Sequence, residues 1–600
     1  MNNKDFYEDK FNQFSEEQKI LEKKFSNIST LRVLSFLIGL AMLLIGIFDD
    51  KPVAGFFGVA FLLAFLVLVK LHGDIVKKQE EAKSKTEVAK RYVDRFSDAW
   101  RNFEETGEEY LNENDTVTRD IDLLGKSSLY QMINTAHTKK GKSLFANELR
   151  LEAVDIGKLS MRNKAVAELT EKKDFSIAFE AAGLRAVDKK QKQDTDKFIA
   201  CCDNEKTGFI PLWMEIARFV LPVIEIALIG CCVFGGMSYG YPLAGFIFVL
   251  AFAGFTMSKT EDIIAPLYSL GASIEDYEDM LTLIEAEEFN SGRLMELKEN
   301  AAGEEGAVSA FKSLKKISQA YNISYNPFLH IIFTGILLWD YQLAHLTSNW
   351  KKKYGKNLSK IFDVIAELEE LISLSVLGCI RETAWADIEV NDNKAFLLGT
   401  DMYHPLINPD TVVSNSIELK GGITIITGSN MSGKTTFLRT IAVNLVLAYM
   451  GAPVCAKEFK AGYMKLFTSM RVMDDVAHGI STFYAEILRI KAMAEYKEKE
   501  VPMICLIDEI FKGTNSADRI VGAKEAITRL AGDRCITAVS THDFELCDIE
   551  DKDGHKAENY HFEEYYDNDE LRFDYKICDG RCTTTNALAI LRMAGFDIKK

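Results

Sequence analysis

The stretch ITIITGSNMSGKTT, residues 423–436, predicts the fold of the C-terminal part of this chain. Its first five residues, Ile423 to Thr427, form an apolar run that is typical of a buried strand. The next eight residues match the pattern Gly-x4-Gly-Lys-Thr, and a helical stretch follows. In such a turn, backbone N–H groups converge on phosphate oxygens at a helix N-terminus, where Lys434 adds a positive charge. We therefore expect a phosphate site, with the Thr435 hydroxyl as a ligand for Mg²⁺.

Two further strand ends complete the predicted site. An apolar strand ends in Asp508 and Glu509; Asp508 suits the Mg²⁺ shell, and Glu509 is placed to orient or deprotonate an attacking water. The following strand, Cys535–Val539, leads to His542, which can hydrogen-bond a γ-phosphate. Short strands alternate with helices throughout residues 394–600, which predicts an α/β domain with a parallel sheet.

Composition limits the partners of the chain. Its 600 residues suggest about four domains. The 71 Lys and Arg against 88 Asp and Glu give a net charge of −17, so any nucleic acid must meet a local basic patch. The 11 cysteines form no CxxC pair, so the sequence indicates neither a disulfide framework nor a zinc site, and a reducing cytosol is expected.

Four apolar runs of 16 or 17 residues predict membrane segments: Val33–Phe48, Val53–Val69, Phe219–Phe234 and Pro242–Met257. As helices they would be about 24 to 26 Å long, slightly shorter than a hydrocarbon core of roughly 30 Å. The runs are paired, so each pair predicts a hairpin, with a buried hairpin in a soluble core as the alternative. Lysines and arginines flank the hairpins on the outside, which places both termini and the α/β domain in the cytoplasm of a multi-pass membrane protein. Within the third run, Glu225 needs a partner or a cavity.

These features predict the order of the domains. We expect a cytoplasmic segment at 1–30, a first hairpin at 31–72, an amphipathic helical linker at 73–115, a helical domain at 116–393 that a second hairpin interrupts at about 217–258, and the α/β domain at 394–600. The apolar run Phe328–Trp339 has about a dozen residues, which favours a core or interfacial helix over a span.

Five motifs, in order, make the chain resemble the MutS group of ABC-type ATPases over roughly residues 394–598. They are TGSNMSGKTT (427–436), FTSMRVMDD (467–475), GISTF (479–483) with Glu486, DEIFKGTNS (508–516) and STHDFEL (540–546). The resemblance implies a P-loop ATPase fold with ATP and Mg²⁺ as its cofactors. Residues 122–166 are similar, more weakly, to the MutS core helical domain.

The resemblance also implies roles for individual residues. In ABC-type ATPases two P-loop domains face each other, and the signature serine of one completes the phosphate site of the other; Ser481 holds that position, so a homodimer is expected. Asn430 is expected to contact phosphate, Val412 and Val413 to lie near the adenine, and Tyr575 to stack on it. The complete nucleotide set is Gly428, Ser429, Asn430, Met431, Ser432, Gly433, Lys434, Thr435, Thr436, Val412, Val413 and Tyr575; the catalytic set is Lys434, Ser481, Glu509 and His542; the metal set is Thr435 and Asp508.

The sequence does not decide on which partner the predicted ATPase acts. DNA binding and mismatch repair are what the resemblance implies, although residues 1–30 are too few for the soluble mismatch-reading domain of that family. Candidate phosphate contacts are Lys351, Lys352, Lys353, Lys356, Lys360, Arg185, Lys189, Lys190 and Lys192. The alternative is an ATP-driven membrane switch or scaffold that acts on a protein or lipid partner without nucleic acid. A transporter is disfavoured because the segment 480–483 lacks the transporter LSGGQ form.

Overall fold

The computed structural model describes residues 2–49, 51–112, 115–151, 155–188, 195–203, 210–302, 306–390, 394–429, 431–471, 482–512, 516–551, 554–567 and 570–582. The chain divides into two compact units. The first contains Met1–Val93, Ala136–Gly141 and Lys172–Glu369, and the second contains Asp94–Thr135, Lys142–Glu171 and Glu370–Lys600. Most of residues 116–171, which the sequence predicts as part of the helical domain, therefore pack with the α/β unit.

Helices account for most of the described chain. They are α1 Asn3–Phe48, α2 Pro52–Arg95, α3 Thr116–Asp120, α4 Leu129–Ile133, α5 Lys139–Glu148, α6 Ile156–Glu171, α7 Lys173–Asp188, α8 Thr195–Asp203, α9 Leu212–Gly235, α10 Gly240–Leu270, α11 Ile274–Ala286, α12 Gly292–Ala302, α13 Ala307–Tyr321, α14 Pro327–Leu337, α15 Trp339–Tyr354, α16 Leu358–Ile380, α17 Lys434–Tyr449, α18 Thr482–Lys497 and α19 Ser516–Leu530. The second apolar run and the start of the predicted linker share one unbroken helix, α2.

Four helices, α1, α2, α9 and α10, are long and apolar enough to cross a membrane. The first two pack through small residues: a Cβ added at Gly46 would lie 2.6 Å from the Cα of Gly55, and one at Gly58 would lie 2.6 Å from the amide nitrogen of Leu43. Close backbone approach at glycine is typical of helix pairs in membranes. The large apolar side chains of these helices, among them Phe48 and Phe56, are mostly exposed.

The second unit contains two sheets, built from β1 Asp387–Glu389, β2 Phe396–Met402, β3 Asn415–Lys420, β4 Gly422–Thr427, β5 Glu458–Gly462, β6 Lys465–Ser469, β7 Met503–Asp508, β8 Cys535–Thr541, β9 Glu558–Asp567 and β10 Glu570–Asp579. The smaller sheet has the order β1-β5-β2-β3, and the larger has the order β10-β9-β4-β8-β7-β6. In the larger sheet the strands from β9 to β6 pair in parallel, and β10 is antiparallel to β9.

The three strands that the sequence predicts, β4, β8 and β7, are neighbours in the larger sheet. Thr427 pairs with Thr541, and Asp508 pairs with Ser540, so their carboxyl ends lie side by side. Ligands of parallel α/β sheets bind at this edge. The fold thereby brings the glycine-rich turn, the acidic pair and the histidine motif to one place.

Candidate nucleotide-binding site

The glycine-rich turn joins β4 to the N-terminus of α17. Gly428, Met431 and Gly433 have φ of 148°, 70° and 109°, in the left-handed region that favours glycine. Glycine is also required by space, because a Cβ at Gly428 would lie 2.8 Å from the carbonyl oxygen of Phe562. Beneath the turn, the buried Ser432 hydroxyl has no hydrogen-bond partner among the described residues. The turn therefore presents the α17 N-terminus to an anion.

Lys434 lies at the first position of α17 and is buried. Its Nζ donates to the carbonyl oxygens of Gly428 and Ser429 at 2.8 and 2.7 Å. Burial lowers the pKa of this lysine, and the nearby carboxylates of Glu509 and Asp508 oppose that shift. The ammonium group is thus held inside the turn, where the sequence predicts a phosphate contact.

The predicted metal ligands are adjacent. The Thr435 hydroxyl donates to Asp508 Oδ2 at 3.0 Å, and the Ser540 hydroxyl donates to Asp508 Oδ1. Asp508 is buried. A hydroxyl and a carboxylate are oxygen donors of the kind that Mg²⁺ binds together with water and substrate phosphates, so these residues fit the predicted metal.

The predicted catalytic acid–base residues converge beside Asp508. Glu509 has a φ of 51°, and its N–H donates to the Ser540 carbonyl oxygen at 2.9 Å. Its carboxylate lies 3.2 Å from Lys512 Nζ and 3.8 Å from His542 Nδ1. The imidazole of His542 is half exposed. Glu509 is therefore in reach of a solvent molecule and of a titratable partner.

Glu486 supports the turn that presents Glu509. One of its carboxylate oxygens accepts the N–H of Phe511 at 2.6 Å, and Phe511 has a φ of 60°. Burial raises the pKa of Glu486. The resemblance names this glutamate only as part of a motif; the structure gives it a positioning contact.

A cavity of about 520 Å³ opens beside the turn. Its lining includes the phosphate-side residues and the three positions expected near adenine: Met431, Gly433, Lys434, Thr435, Thr436, Glu509, Val412, Val413 and Tyr575. Asn415 holds Tyr575 in place: its amide donates to the Tyr575 carbonyl oxygen at 2.9 Å, and its own oxygen accepts the Ile577 N–H at 2.8 Å. The structure brings these residues together, and their contacts with a nucleotide stay predictions.

His404 also lines the cavity, and the sequence gives no motif that identifies it. It is buried, and burial lowers its pKa to about 4. Its Nδ1 accepts the Leu406 N–H at 3.3 Å, so the neutral ring carries its proton on Nε2.

Asp120, another residue that the sequence analysis does not identify, lies at the end of α3 with no exposed surface. Its carboxylate accepts the Thr468 hydroxyl at 2.8 Å, the N–H groups of Met470 and Arg471 at 3.0 Å each, and an Arg489 guanidinium N–H at 3.1 Å. Three of these four partners precede residues 472–481 in the chain, and the fourth, Arg489, follows them.

The segment 472–481 contains Ser481, which the sequence predicts as a catalytic residue. Ser481 lies outside the described residues, as does Asn430. Asp122 adds a second link next to Asp120, because it pairs with Arg471 and lies 3.4 Å from a guanidinium nitrogen of Arg439 on α17. The two aspartates thus connect the borders of this segment to the helix that begins at the glycine-rich turn.

Comparisons with known proteins agree with this geometry. The family model described as MutS domain V matches residues 424–599. The "Probable DNA mismatch repair protein Msh6" of Drosophila melanogaster is 28% identical over 247 residues, which cover 39% of this chain and 20% of that protein. The "DNA mismatch repair protein MutS" of Staphylococcus haemolyticus is 29% identical over 265 residues, which cover 43% of this chain and 29% of that protein.

The chain thus spans less than a third of the length of these two relatives. The matching region contains the glycine-rich turn, the acidic pair and the histidine motif, and MutS domain V is a P-loop ATPase fold. Residues 424–599 therefore match MutS domain V, and these similarities support a MutS-family protein.

Proposed function

We propose that this chain is a membrane-anchored ATPase that binds ATP with Mg²⁺ in the C-terminal cavity and hydrolyses it. One observation carries the proposal: Lys434, Thr435 and Glu509 line the same cavity as the apolar positions Val412 and Val413. A triphosphate would meet the cation and the helix N-terminus at one end, and a base would meet apolar side chains at the other.

The residues of the site suit hydrolysis. The glycine-rich turn and Lys434 bind the phosphates and place the terminal phosphorus near Glu509. Mg²⁺, which Thr435 and Asp508 would hold, neutralises phosphate charge when bound. Glu509 orients the water and accepts its proton, and His542, 3.8 Å from that carboxylate, donates a hydrogen bond to the terminal phosphate.

Two copies of the chain form the complete site in this proposal, with Ser481 of one copy at the phosphate of the other, and hydrolysis rearranges the helical unit. The resemblance to ABC-type ATPases supports this arrangement. A complementation experiment tests it. Lys434→Ala and Ser481→Ala are each expected to lose hydrolysis, and a mixture of the two variants is expected to recover part of it.

The recovery follows from the geometry of a shared site. In a mixed dimer one site has both defects, and the other has an intact lysine and an intact serine. A Ser481→Ala variant that hydrolyses ATP at the normal rate as a monomer would contradict the proposal. Glu509→Gln with ATP is the companion test, because slow hydrolysis should leave a nucleotide-bound dimer.

Membrane anchoring rests on the two apolar hairpins, α1–α2 and α9–α10. Their length, their exposed apolar surface and the glycine contacts between α1 and α2 support it. Extraction of native membranes with alkaline carbonate tests it: the chain should stay with the lipid fraction. Release into the soluble fraction would contradict anchoring.

Two outputs of the ATPase remain to be distinguished. The names of both relatives support DNA binding. The contacts of two candidate cations favour an output without nucleic acid: Arg185 lies 3.2 Å from Asp276 and 3.1 Å from Asp279, and Lys351 donates to the Cys201 carbonyl oxygen. These two side chains bind within the first unit, whereas Lys189, Lys190 and Lys192 lie outside the described residues.

DNA titration at several salt concentrations separates the two outputs. DNA binding predicts an affinity that falls steeply with salt and weakens when the exposed Lys356 and Lys360 are changed to glutamate. Normal ATP hydrolysis without DNA binding at low salt would support a membrane switch or scaffold that acts on a protein or lipid.

A further inference from the structure

The short helix α14 carries an exposed apolar face. Phe328 is 81% exposed, and Leu329, Ile331 and Ile332 are each more than 40% exposed. The sequence favours a core or interfacial helix here, and these exposures do not fit a core. The question is therefore what covers this face.

The contacts of α14 with α10 show how far along the second hairpin it reaches. A Cβ at Gly335 would lie 2.6 Å from Cζ of the Phe246 ring, so the two helices touch at that point. Phe246 is ten residues before Thr256, whose hydroxyl accepts the Tyr341 O–H at 2.6 Å. At 1.5 Å per residue, these two contact positions are about 15 Å apart along α10.

Polar and aromatic side chains lie at the end of the α9–α10 hairpin that contains Lys259. Lys259 Nζ lies 5.3 Å from the Trp213 ring, and Glu215 binds both Arg218 and His345 at 2.6 Å. Trp, Tyr and basic residues concentrate at membrane–water interfaces. Phe246 is 13 residues, about 20 Å along α10, from Lys259, so its ring meets Gly335 within the apolar part of α10.

The chain then turns back at Leu338, which has a φ of 51° and is fully buried. Its N–H donates to the Thr334 carbonyl oxygen at 3.0 Å, and its own carbonyl oxygen accepts the Tyr341 N–H at 2.9 Å. The Leu337 carbonyl oxygen accepts the side-chain amide of Gln342 at 3.2 Å. Non-helical backbone is tolerated at membrane depth only when its polar groups are satisfied by protein or water in this way.

We infer that α14 is a re-entrant helix: it enters the membrane from the cytoplasmic side beside α9 and α10 and returns to the same surface through α15. Its exposed face, Phe328, Leu329, Ile331 and Ile332, packs against lipid acyl chains. The 11 residues of α14 are about 16 Å long, roughly half of the hydrocarbon core. This inference rests on the proposed membrane anchoring of the hairpin.

Two further features suit lipid as the occupant. The face is continuous with α10, where Ile247 and Phe248, next to the contact at Phe246, are also more than half exposed. The one titratable side chain of α14, His330, is paired with Asp340 at 2.9 Å. Pairing lowers the cost of placing such groups near hydrocarbon.

Spin-label depth measurements on the full chain in phosphatidylcholine vesicles test the inference. The background carries Cys201→Ser, Cys231→Ser and Cys578→Ser, which remove the cysteines with accessible surface among the described residues. Nitroxides are attached at Ile332→Cys and Phe328→Cys on α14. Ile247→Cys on α10 is the lipid reference, and Met295→Cys on α12, 43% exposed, is the water reference.

Collision rates with oxygen, which partitions into lipid, and with a water-soluble nickel chelate give the depth of each label. The expected result is that both α14 labels collide with oxygen in preference to nickel, as Ile247 does, whereas Met295 shows the opposite preference. Labels on α14 that behave like Met295, with Ile247 still shielded from nickel, would overturn the inference and leave anchoring intact. Labels shielded from both reagents would overturn it in favour of a protein contact. Nickel access at Ile247 would contradict anchoring and the inference together.

Discussion

The candidate nucleotide cavity and the first apolar hairpin, α1–α2, are stabilised by different interactions. In the unit that contains the cavity, buried polar groups converge: Asp508 accepts two hydroxyl groups, and Asp120 accepts four donors. Between α1 and α2, the backbones approach closely at Gly46 and Gly58, where an added Cβ would lie 2.6 Å from the facing backbone. One region depends on charge and hydrogen bonds, the other on volume.

This difference predicts opposite sensitivities to substitution. At the cavity, a change that keeps the shape of a side chain and alters only its charge should abolish function, because a buried polar group then loses its partners. In the hairpin, one added methyl group should matter more than a change of charge on the outer flank. Each of the following predictions tests one side of the comparison.

The largest effect is expected at Glu509. Glu509→Gln keeps the shape of the side chain but removes the base, so the turnover number for ATP should fall by roughly 10²- to 10⁴-fold. ATP binding should persist, because the glycine-rich turn and Lys434 are intact. Phosphate release and equilibrium nucleotide binding measure the two quantities. Glu545→Gln, an exposed glutamate close behind His542, is the matched control, and normal turnover in Glu509→Gln would refute the assignment.

Asp120→Asn is expected to have the second-largest effect. The amide would place an NH₂ group against N–H donors, and the borders of residues 472–481 would move. A displacement of about 1 Å near a catalytic group costs up to about 10²-fold in rate, so we expect turnover to fall by about ten- to a hundredfold, with a smaller change in the KM for ATP. Asp387→Asn, an exposed aspartate of the same unit, is the control. A loss confined to KM would argue against a positioning role.

The sequence predicts the local parts of this site and not the distant ones. Strands β4, β7 and β8 and their terminal side chains follow from motifs of adjacent residues. The contact between Asp120 and Thr468 joins positions 348 residues apart, and no spacing rule brings them together. Asn415 contacts Tyr575 and Ile577, which are 160 and 162 residues away, and no motif identifies His404. Their roles depend on how β3, β10 and the loop before them pack, which a single sequence does not reveal.

The same limit applies to the organisation of the helices. Continuous apolar runs predict both hairpins and the apolar helix near residue 330. They do not show that residues 142–171 pack with the α/β unit, because that assignment depends on long-range contacts such as Arg162 with Glu370 at 2.5 Å. Nor do they place α14 along α10, since that requires the contact of Gly335 with Phe246.

Close packing between α1 and α2 predicts the next effect. Gly58→Ala should destabilise this hairpin by about 2 kcal/mol, because the new methyl group meets the backbone of Leu43. Gly55→Ala is a closely matched control, since its Cβ would lie at an ordinary 3.8 Å from the nearest atom. Loss of helical circular dichroism in mixed detergent micelles gives the free energy of unfolding for each variant. Equal stability of the two variants would mean that the glycine contacts do not hold the hairpin together.

The smallest expected effect is on the pH dependence of stability, through His404 in the wall of the cavity. Burial lowers the pKa of His404 from 6.5 to about 4, so the native state favours the neutral ring. This contribution to stability is complete above pH 6.5 and is lost as the pH falls towards 4. At about pH 5.5 the loss amounts to about 1.4 kcal/mol. His404→Gln has no such titration, so its thermal unfolding midpoint should fall less than that of the wild type between about pH 7.5 and about pH 5.5.

His555→Gln, at an exposed histidine, is the control and should keep the wild-type pH dependence. If His404→Gln and the wild type lost stability in parallel, the ring would be charged in the native cavity, and the wall of the nucleotide site would be polar and hydrated there. The cavity would then resemble neither the buried hydrogen-bonded network around Asp120 nor the close apolar packing of the hairpin. The pH dependence of the unfolding midpoint thus tests whether the site keeps His404 uncharged, in addition to pairing its buried carboxylates with hydrogen-bond donors.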